Sequence, residues 1–236
     1  MGAGDRVIEI GAGLGSLTVA LADTGAEVLA IEFDRTLLPA LDEVVDGDPR
    51  IHVLHADAMR LDWEQTLGSE PGAWVLCANL PYNIATPLVL DVLHAVPRVR
   101  SLLVMVQREV GERLAAAEGT DAYGAISVHV AYHARAAILR QVPPTVFWPK
   151  PTVGSVLLRL DRLPAPPVAT DEATLMRVVD EAFAQRRKTM RNALRRLGLD
   201  GADADAALVA CAVDPTARPE QLGLEVFARI AEAVAP

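Results

Sequence analysis

The stretch VIEIGAGLGSLT, residues 7–18, joins a short β-rich run to a turn in which glycine recurs at positions 11, 13 and 15. Strands with nearly continuous apolar character are typical of parallel sheets covered on both faces. Glycines directly after such a strand let the backbone turn tightly and approach a ligand closely. The stretch therefore predicts the first strand, turn and helix of a doubly wound α/β sheet, with a ligand at the turn.

The same alternation continues along the first half of the chain. We predict strands at Asp5–Ile10, Glu27–Glu32, Arg50–His55, Ala73–Asn79 and Ser101–Gln107. We predict helices at Leu14–Asp23, Asp34–Val45, Ala85–His94 and Gln107–Ala117. Alternation of this kind indicates a Rossmann-like α/β fold. Two more β candidates, Ile126–Ala134 and Val153–Asp161, lack a clear helix between them and predict an antiparallel pair at the sheet edge.

A proline-rich linker, LPAPPVAT at residues 163–170, ends this pattern. Beyond the linker, apolar residues recur at the spacing of a helix, which predicts a helical segment. They are Leu175, Val179, Ala182, Phe183, Met190, Leu194 and Leu197. Two further helices are predicted at Asp203–Cys211 and Glu220–Ala235. The sequence thus predicts an α/β catalytic domain over residues 1–163 and a small all-helical domain over residues 171–236.

Charge, hydropathy and cysteine usage argue against several classes of protein. A net charge of −9 argues against a protein that coats nucleic acid nonspecifically, although a local basic face is compatible with it. No apolar run is long enough to span a bilayer, and the N-terminus does not resemble a signal peptide. Cys77 and Cys211 lack metal-ligand spacing, and the five histidines form no ligand cluster, His129 and His133 falling in a predicted strand. We expect a cytoplasmic protein without a metal.

The second predicted strand ends in Glu32, 21 residues after Gly11. A carboxylate there can accept both hydroxyls of a ribose, as in dinucleotide-binding domains. A dinucleotide site favours GxGxxG, however, and Ser16 occupies the sixth position. The pattern ExGxGxG, with Gly11 and Gly13, is commoner in methyltransferases that use S-adenosyl-L-methionine. Asp57, after the third strand, either accepts a hydrogen bond from the cofactor adenine or caps the next helix.

Asn79, Leu80, Pro81 and Tyr82 end the fourth predicted strand, where they face the ligand crevice of a doubly wound sheet. The sequence resembles the motif of methyltransferases that alkylate exocyclic amino nitrogens. An adenine amino group is a poor nucleophile because its lone pair is delocalised. The Asn79 side chain and the carbonyl beside Pro81 can each accept one N–H and orient the nitrogen, which requires no strong base. Tyr82 can stack on a flipped base.

With these motifs, the chain resembles the KsgA-type family, the dimethyladenosine transferases of small-subunit ribosomal RNA. The matching segments are EIGAGLGSLT, the Glu32 strand end, ADAM, NLPYNIATPLV, VMVQREVGERLAA with YGAISV, VPPTVFWPKPTVGSVLLRL and FAQRRKTMRNALRRLGL. The resemblance implies dimethylation of two adjacent adenines near the 3′ end of 16S ribosomal RNA, within the small subunit. It also implies that Gly11, Glu32, Asp57 and Asn79 contact the cofactor, that Ala58 lines its adenine pocket, and that Phe147 stacks on the target base.

Two departures from the family pattern affect this expectation. Gly154 stands where the family usually has Asp. The family also carries a Gly-Gln-x-Phe-Leu segment before the first strand, and we expect its absence to weaken cofactor binding. Two alternatives stay open: the erythromycin-resistance family, which methylates large-subunit RNA, and a noncatalytic ribosome-assembly factor. The QRRKT…RNAL segment favours the small-subunit enzyme, and we expect a monomer.

Basic and aromatic residues predict the RNA-facing surface. A helix through Arg187, Lys188, Arg191 and Arg195 places all four on one face, which suits phosphate contacts or is merely solvated. Arg186 falls on the apolar side of that helix, so it either pairs with a carboxylate or the helix breaks near Gln185. Phe147 either stacks on RNA or packs under its own loop. Trp148 is expected to pack.

Overall fold

A computed structural model describes residues 1–68 and 72–235. Its central feature is a seven-stranded sheet with strand order β3-β2-β1-β4-β5-β7-β6. The strands are β1 Arg6–Ile10, β2 Glu27–Glu32, β3 Ile51–His55, β4 Trp74–Asn79, β5 Val99–Gln107, β6 Ala134–Val142 and β7 Ser155–Arg162. Strands β1 to β5 are parallel, and β7 runs antiparallel to β5. The predicted Rossmann-like class is confirmed.

Ten α-helices occur in the described residues. They are α1 Ser16–Ala22, α2 Leu38–Val45, α3 Trp63–Leu67, α4 Ala85–Ala95, α5 Arg108–Leu114, α6 Ala125–His133, α7 Glu172–Ala184, α8 Met190–Arg196, α9 Gly201–Ala210 and α10 Leu224–Ala233. The sequence predicted each of these except α3 and α6, with bounds that differ by a few residues and with α7 and α8 taken as one helix. None of the described helices is long and apolar enough to cross a membrane.

The glycine turn leads from β1 into α1. Gly15 has a φ of 81°, a left-handed conformation that favours glycine. A Cβ added there would lie 3.0 Å from the side chains of Leu41 and Val44. Glycine at position 15 therefore allows both the left-handed backbone of the turn and the close approach of α2.

The C-terminal end of α4 is held by a side chain from β7. The Arg162 guanidinium donates to the carbonyls of Val92, Leu93 and Val96, over 2.7–3.1 Å, and to that of Val99 over 2.8 Å. The carbonyls of Val92 and Val96 already accept from Val96 N at 3.1 Å and Val99 N at 3.0 Å, so the guanidinium adds a second donor to each. A cation at the C-terminal end of a helix is also favoured by the helix dipole. Arg162 thus links α4, β5 and β7.

The prediction of a strand at Ile126–Ala134 was wrong, because this segment forms α6 and the edge strand is β6. Alternating Ile126, Val128 and Val130 favour a strand locally. Val128 and Tyr132, four residues apart, instead share one helix face in a buried apolar cluster. His129 and His133, expected in that strand, therefore lie on α6. His129 contacts Asp180 at 2.9 Å and His133 contacts Glu172 at 2.9 Å.

The chain divides into two compact units. The first contains residues 1–111 and 135–162, which include all of the sheet except Ala134 at the start of β6, and the second contains residues 112–134 with those from 163 onward. The division after Arg162 lies next to the predicted linker. Residues 112–134, which the prediction placed in the α/β domain, group with the C-terminal helices, since Val128 and Tyr132 of α6 belong to the same apolar cluster as Leu175 and Phe227.

Candidate active site

The glycine turn and the end of β2 are joined by hydrogen bonds at the carboxyl edge of the sheet. The backbone N–H groups of Gly11 and Ala12 donate to the Ile31 carbonyl over 2.8 and 3.3 Å. The Glu32 carboxylate accepts from Gly13 N at 2.8 Å and from Asp34 N at 2.7 Å. Glu32 is only 6% exposed, so the turn and the hydrogen bonds hold its charge in a fixed position.

A cavity of about 360 Å³ opens beside these residues. Its walls come from the ends of β1 and β2, the segment after β3 and the segment after β4. It is lined by Ile10, Gly11, Ile31, Glu32, Phe33, Asp34, Ala56, Asp57, Ala58, Met59, Pro81, Asn83 and Ile84. A site of this size at the carboxyl ends of parallel strands is typical of small-molecule and cofactor binding.

The structure brings four of the predicted cofactor residues, Gly11, Glu32, Asp57 and Ala58, to this one cavity. Asp57 does cap the following 3₁₀ turn, accepting from Met59 N at 3.0 Å. Its other carboxylate oxygen lies 3.6 Å from Arg60 Nε. Because Asp57 caps this turn and also lines the cavity, the two roles considered for it are compatible in space.

The segment Asn79–Tyr82 begins at the last residue of β4. Asn79 is exposed, whereas Leu80 is buried and its N–H donates to the Met105 carbonyl at 3.1 Å. A Cβ added to Gly11 would lie 3.8 Å from Pro81 Cδ and 4.0 Å from the Asn79 carbonyl oxygen. The glycine turn therefore lies against the Asn79–Tyr82 segment, and Pro81 is shared between this segment and the cavity.

Tyr82 connects this segment to β7. Its hydroxyl lies 3.2 Å from Ser155 Oγ, where either atom can donate. Ser155 is the first residue of β7, and the segment before it contains Phe147, which is half-buried. Trp148 is 97% exposed, so the prediction that it packs against the protein was wrong.

Sequence reasoning missed a buried carboxyl beneath the glycine turn. Glu9 of β1 is 1% exposed and accepts a hydrogen bond from Thr18 of α1 at 2.5 Å. Burial raises the pKa of Glu9 to about 7, against the Thr18 hydrogen bond, and the negative charge of Glu32 adds to the rise. Burial, with Glu9 nearby, also raises the pKa of Cys77 to about 11, so this thiol stays protonated and unreactive. The sequence feature that could have indicated this buried carboxyl is a Glu inside an otherwise apolar predicted strand.

The sequence model of the family described as ribosomal RNA adenine dimethylase matches residues 3–235 of the chain. The chain belongs to this family. A relative from Thermobifida fusca, named ribosomal RNA small subunit methyltransferase A, is 47% identical over 97% of this chain and 80% of its own length. The protein of the same name from Moorella thermoacetica is 42% identical over 98% of this chain and 83% of its own length.

Solved structures agree with this dimethylase in fold. A dimethyladenosine transferase from Plasmodium falciparum superposes with a TM-score of 0.79 and 21% identity, covering 98% of this chain and 90% of its own. The 23S rRNA methyltransferase ErmE gives a TM-score of 0.73 and 24% identity, covering 99% and 92%. At such identities these likenesses describe the fold alone.

The basic residues of the dimethylase's helical unit do not form one helical stripe. Helix α7 ends at Ala184 and α8 begins at Met190, so Arg187 and Lys188 lie in the turn between them. The break near Gln185 that Arg186 suggested is present, and Arg186 is exposed and donates to the Asp121 carbonyl at 2.6 Å. The predicted single helix face was therefore wrong.

The four predicted RNA-binding side chains are nevertheless all exposed. Lys188 and Arg195 line one recess of about 460 Å³, together with Gln185, Asn192, Arg196, Leu199, Asp200 and Gly201. Arg191 instead forms an ion pair with Asp205 at 2.9 Å. Arg196 likewise pairs with Glu181. In the part of the chain that the structure describes, Arg187, Lys188 and Arg195 make no ion pair.

Proposed function

We propose that this adenine dimethylase transfers methyl groups from S-adenosyl-L-methionine to N6 of two adjacent adenines near the 3′ end of 16S ribosomal RNA. The observation that carries the proposal is the packing of the Asn79–Tyr82 segment against the glycine turn and its cavity. The relatives named ribosomal RNA small subunit methyltransferase A, matched over nearly the whole chain, support the small subunit as the substrate.

The residues around the cavity fit the cofactor. Each Glu32 oxygen accepts one backbone N–H and keeps a second acceptor position, which suits the two hydroxyls of a ribose. Asp57 and Ala58 would flank the adenine, with the carboxylate accepting from its amino group. Gly11 and Gly13 offer a backbone without side chains, and Asn79 closes the site from β4. When bound, the cofactor supplies a sulfonium methyl group for transfer.

The Asn79–Tyr82 segment would orient the nitrogen that accepts the methyl. The Asn79 side-chain oxygen accepts one N–H of the adenine amino group. Since the Pro81 carbonyl already accepts from Ile84 N at 3.2 Å, we assign the second N–H to the Leu80 carbonyl. In this orientation the nitrogen lone pair would face the methyl group that the bound cofactor would supply. One N–H proton leaves with each transfer.

The remaining surfaces suit the RNA. Tyr82 and Phe147 would stack on the flipped adenine, while Arg187, Lys188, Arg191 and Arg195 would contact phosphates. Catalysis is thus assigned to residues 1–163 and RNA contacts chiefly to residues 171–236. Arg191 would contact a phosphate while keeping its ion pair with Asp205.

Mass spectrometry tests the proposed reaction. Unmethylated small subunits are incubated with the protein and isotopically labelled cofactor, and the RNA is then digested. The expected result is label in N6-dimethyladenosine at two adjacent positions near the 3′ end. Label only in large-subunit RNA, or subunit binding without any label, would refute it. We further infer a cytoplasmic monomer that needs no metal, and sedimentation of the active protein tests its oligomeric state.

A further inference from the structure

Trp148 is the most exposed of the large apolar side chains in the described residues. Its exposed fraction is 97%, whereas the other two tryptophans, Trp63 and Trp74, are 7% and 9% exposed. An indole buries a large area when it binds, so leaving one fully in water forgoes a substantial stabilisation. With 97% of its surface in solvent, Trp148 contributes almost nothing to the packing of the described residues.

The chain around Trp148 is free of negative charge. Residues 122–160 contain no Asp or Glu, in a protein with 31 acidic residues and a net charge of −9. On β6 and in the following segment, Arg135, Arg140 and Lys150 are exposed. None of these three side chains forms an ion pair with the residues described, so their charges are available to a ligand.

Hydrogen bonds connect the Trp148 segment to the active site. The segment continues through Gly154, whose carbonyl accepts from Arg108 N at 2.9 Å, into Ser155. Ser155 Oγ in turn lies 3.2 Å from the Tyr82 hydroxyl. Seven residues separate Trp148 from Ser155, which limits their separation to about 25 Å. At roughly 3.4 Å per stacked nucleotide, Trp148 is within about seven nucleotides of a base held at Tyr82.

We propose that Trp148 stacks on an unpaired base of the substrate RNA within about seven nucleotides of the target adenines, while Arg135, Arg140 and Lys150 contact the adjoining phosphates. This inference rests on the proposed function for the identity of the RNA. Charge decides between RNA and a protein partner. The exposed Ile138, Leu139 and Val146 would suit either partner. A group of cations in a stretch of chain without acidic residues, beside an exposed aromatic side chain, is typical of nucleic-acid binding surfaces, whereas the core of a protein interface is depleted in charged residues.

Tryptophan fluorescence tests the inference directly, because only Trp148 is exposed to solvent. The ligand is a short single-stranded RNA containing two adjacent adenines, and the comparison ligand is the same RNA annealed to its complement. Stacking on Trp148 quenches its emission, so we expect quenching by the single strand and little by the duplex. The Trp148→Phe variant should lack the emission that RNA quenches. Its loss would assign the quenched emission to Trp148.

Affinity measurements with variants complete the test. We expect Trp148→Ala to bind the single strand about 5- to 150-fold more weakly and Trp148→Phe to recover most of the loss, since the phenyl ring also stacks. Val44→Ala is the matched control, since it truncates another exposed apolar side chain of the same unit, on α2. Its affinity should equal that of the wild type.

The outcomes separate this inference from the proposed function. Normal methylation of small subunits with unchanged RNA affinity and no quenching in Trp148→Ala would overturn the inference alone. Weaker binding of Trp148→Ala to intact subunits but not to naked RNA would also overturn it, in favour of a protein partner. Quenching by RNA in a wild-type protein that transfers no methyl group would support Trp148 as a stacking residue and refute the proposed reaction.

Discussion

The Thr18 hydroxyl donates a hydrogen bond to Oε2 of Glu9 over 2.5 Å, and both side chains are buried. Glu9 belongs to β1 and Thr18 to α1, so the bond joins the two elements that the glycine turn connects. The turn is thereby supported from below by groups that do not line the cavity. This position makes Glu9 a sensitive point for stability.

The stability of the protein should depend on pH through Glu9. Its pKa is about 7 in the folded protein against an ordinary 4.5, because burial disfavours the charged carboxylate. A raised pKa gives stability that is fully present below pH 4.5 and lost as the pH rises to about 7. Relative to Glu9→Gln, the wild type should lose up to about 3 kcal/mol of unfolding free energy across this range, as measured by urea unfolding at several pH values.

Other titrating groups are common to both proteins and cancel in that difference. Gln keeps a carbonyl oxygen that accepts from Thr18, so the variant should fold. Thr18→Val removes the hydrogen bond that lowers the pKa of Glu9, and should move the loss of stability to higher pH. Parallel curves for wild type and Glu9→Gln would contradict the assignment.

Replacing Asn79 by Ala should reduce methyl transfer about 5- to 150-fold and leave RNA affinity unchanged. The side chain is assigned to the amino group and the cofactor, and one good amide contact to adenine is worth about 1–3 kcal/mol. Single-turnover methylation and RNA binding are measured on the same preparation. Turnover within threefold of the wild type would remove Asn79 from the proposed site.

Local sequence was sufficient to predict that Gly11, Glu32 and Asp57 meet at one cavity. Gly11 directly follows one predicted strand, Glu32 ends the next, and Asp57 lies two residues beyond the third, and parallel strands bring their carboxyl ends to one edge of the sheet. The positions of these residues thus followed from strand order alone. Glu9 was overlooked because a carboxyl inside an apolar strand gives no local indication of the partner, Thr18, that lies across the turn.

Where prediction failed, longer-range contacts overrode local pattern. The alternation at residues 126–134 favours a strand, but Ser127 Oγ accepts from Gly124 N at 3.1 Å and donates to the Arg113 carbonyl at 2.7 Å, which starts a helix there. Between α7 and α8, the polar residues 185–188 are exposed and have no apolar face to bury, and Met190 N instead donates to the Ala217 carbonyl at 2.8 Å. A helical wheel assumes continuity and could not detect this break.

The salt dependence of binding to the small subunit should depend on the charges of Lys188 and Arg195. Both line the same recess of the helical unit and neither forms an ion pair with a described residue. Replacing both by Ala should flatten the log–log salt slope by about two units, since each lost phosphate contact removes roughly one. Arg229→Ala, an exposed arginine on α10, is the matched control and should leave the slope unchanged. An equal slope in the double variant would mean that the recess does not bind phosphates.

Replacing Arg162 by Met should destabilise the fold by about 2–4 kcal/mol. The variant keeps an apolar stem but leaves the carbonyls of Val92, Leu93, Val96 and Val99 without the guanidinium. Hydrogen bonds to a charged donor are each worth about 1.5–3 kcal/mol, and water that reaches the helix end in the variant replaces only part of this stabilisation.

Two further variants complete the test of Arg162. Arg162→Lys should regain little of the lost stability, because an ammonium cannot span four carbonyls as a planar guanidinium does. Arg159→Met on the same strand is the control, since Arg159 is exposed and, among the described residues, forms an ion pair only with Asp161, at 2.9 Å, an interaction worth about 1 kcal/mol or less. Equal unfolding free energies for the two methionine variants in urea would show that Arg162 does not hold the end of α4.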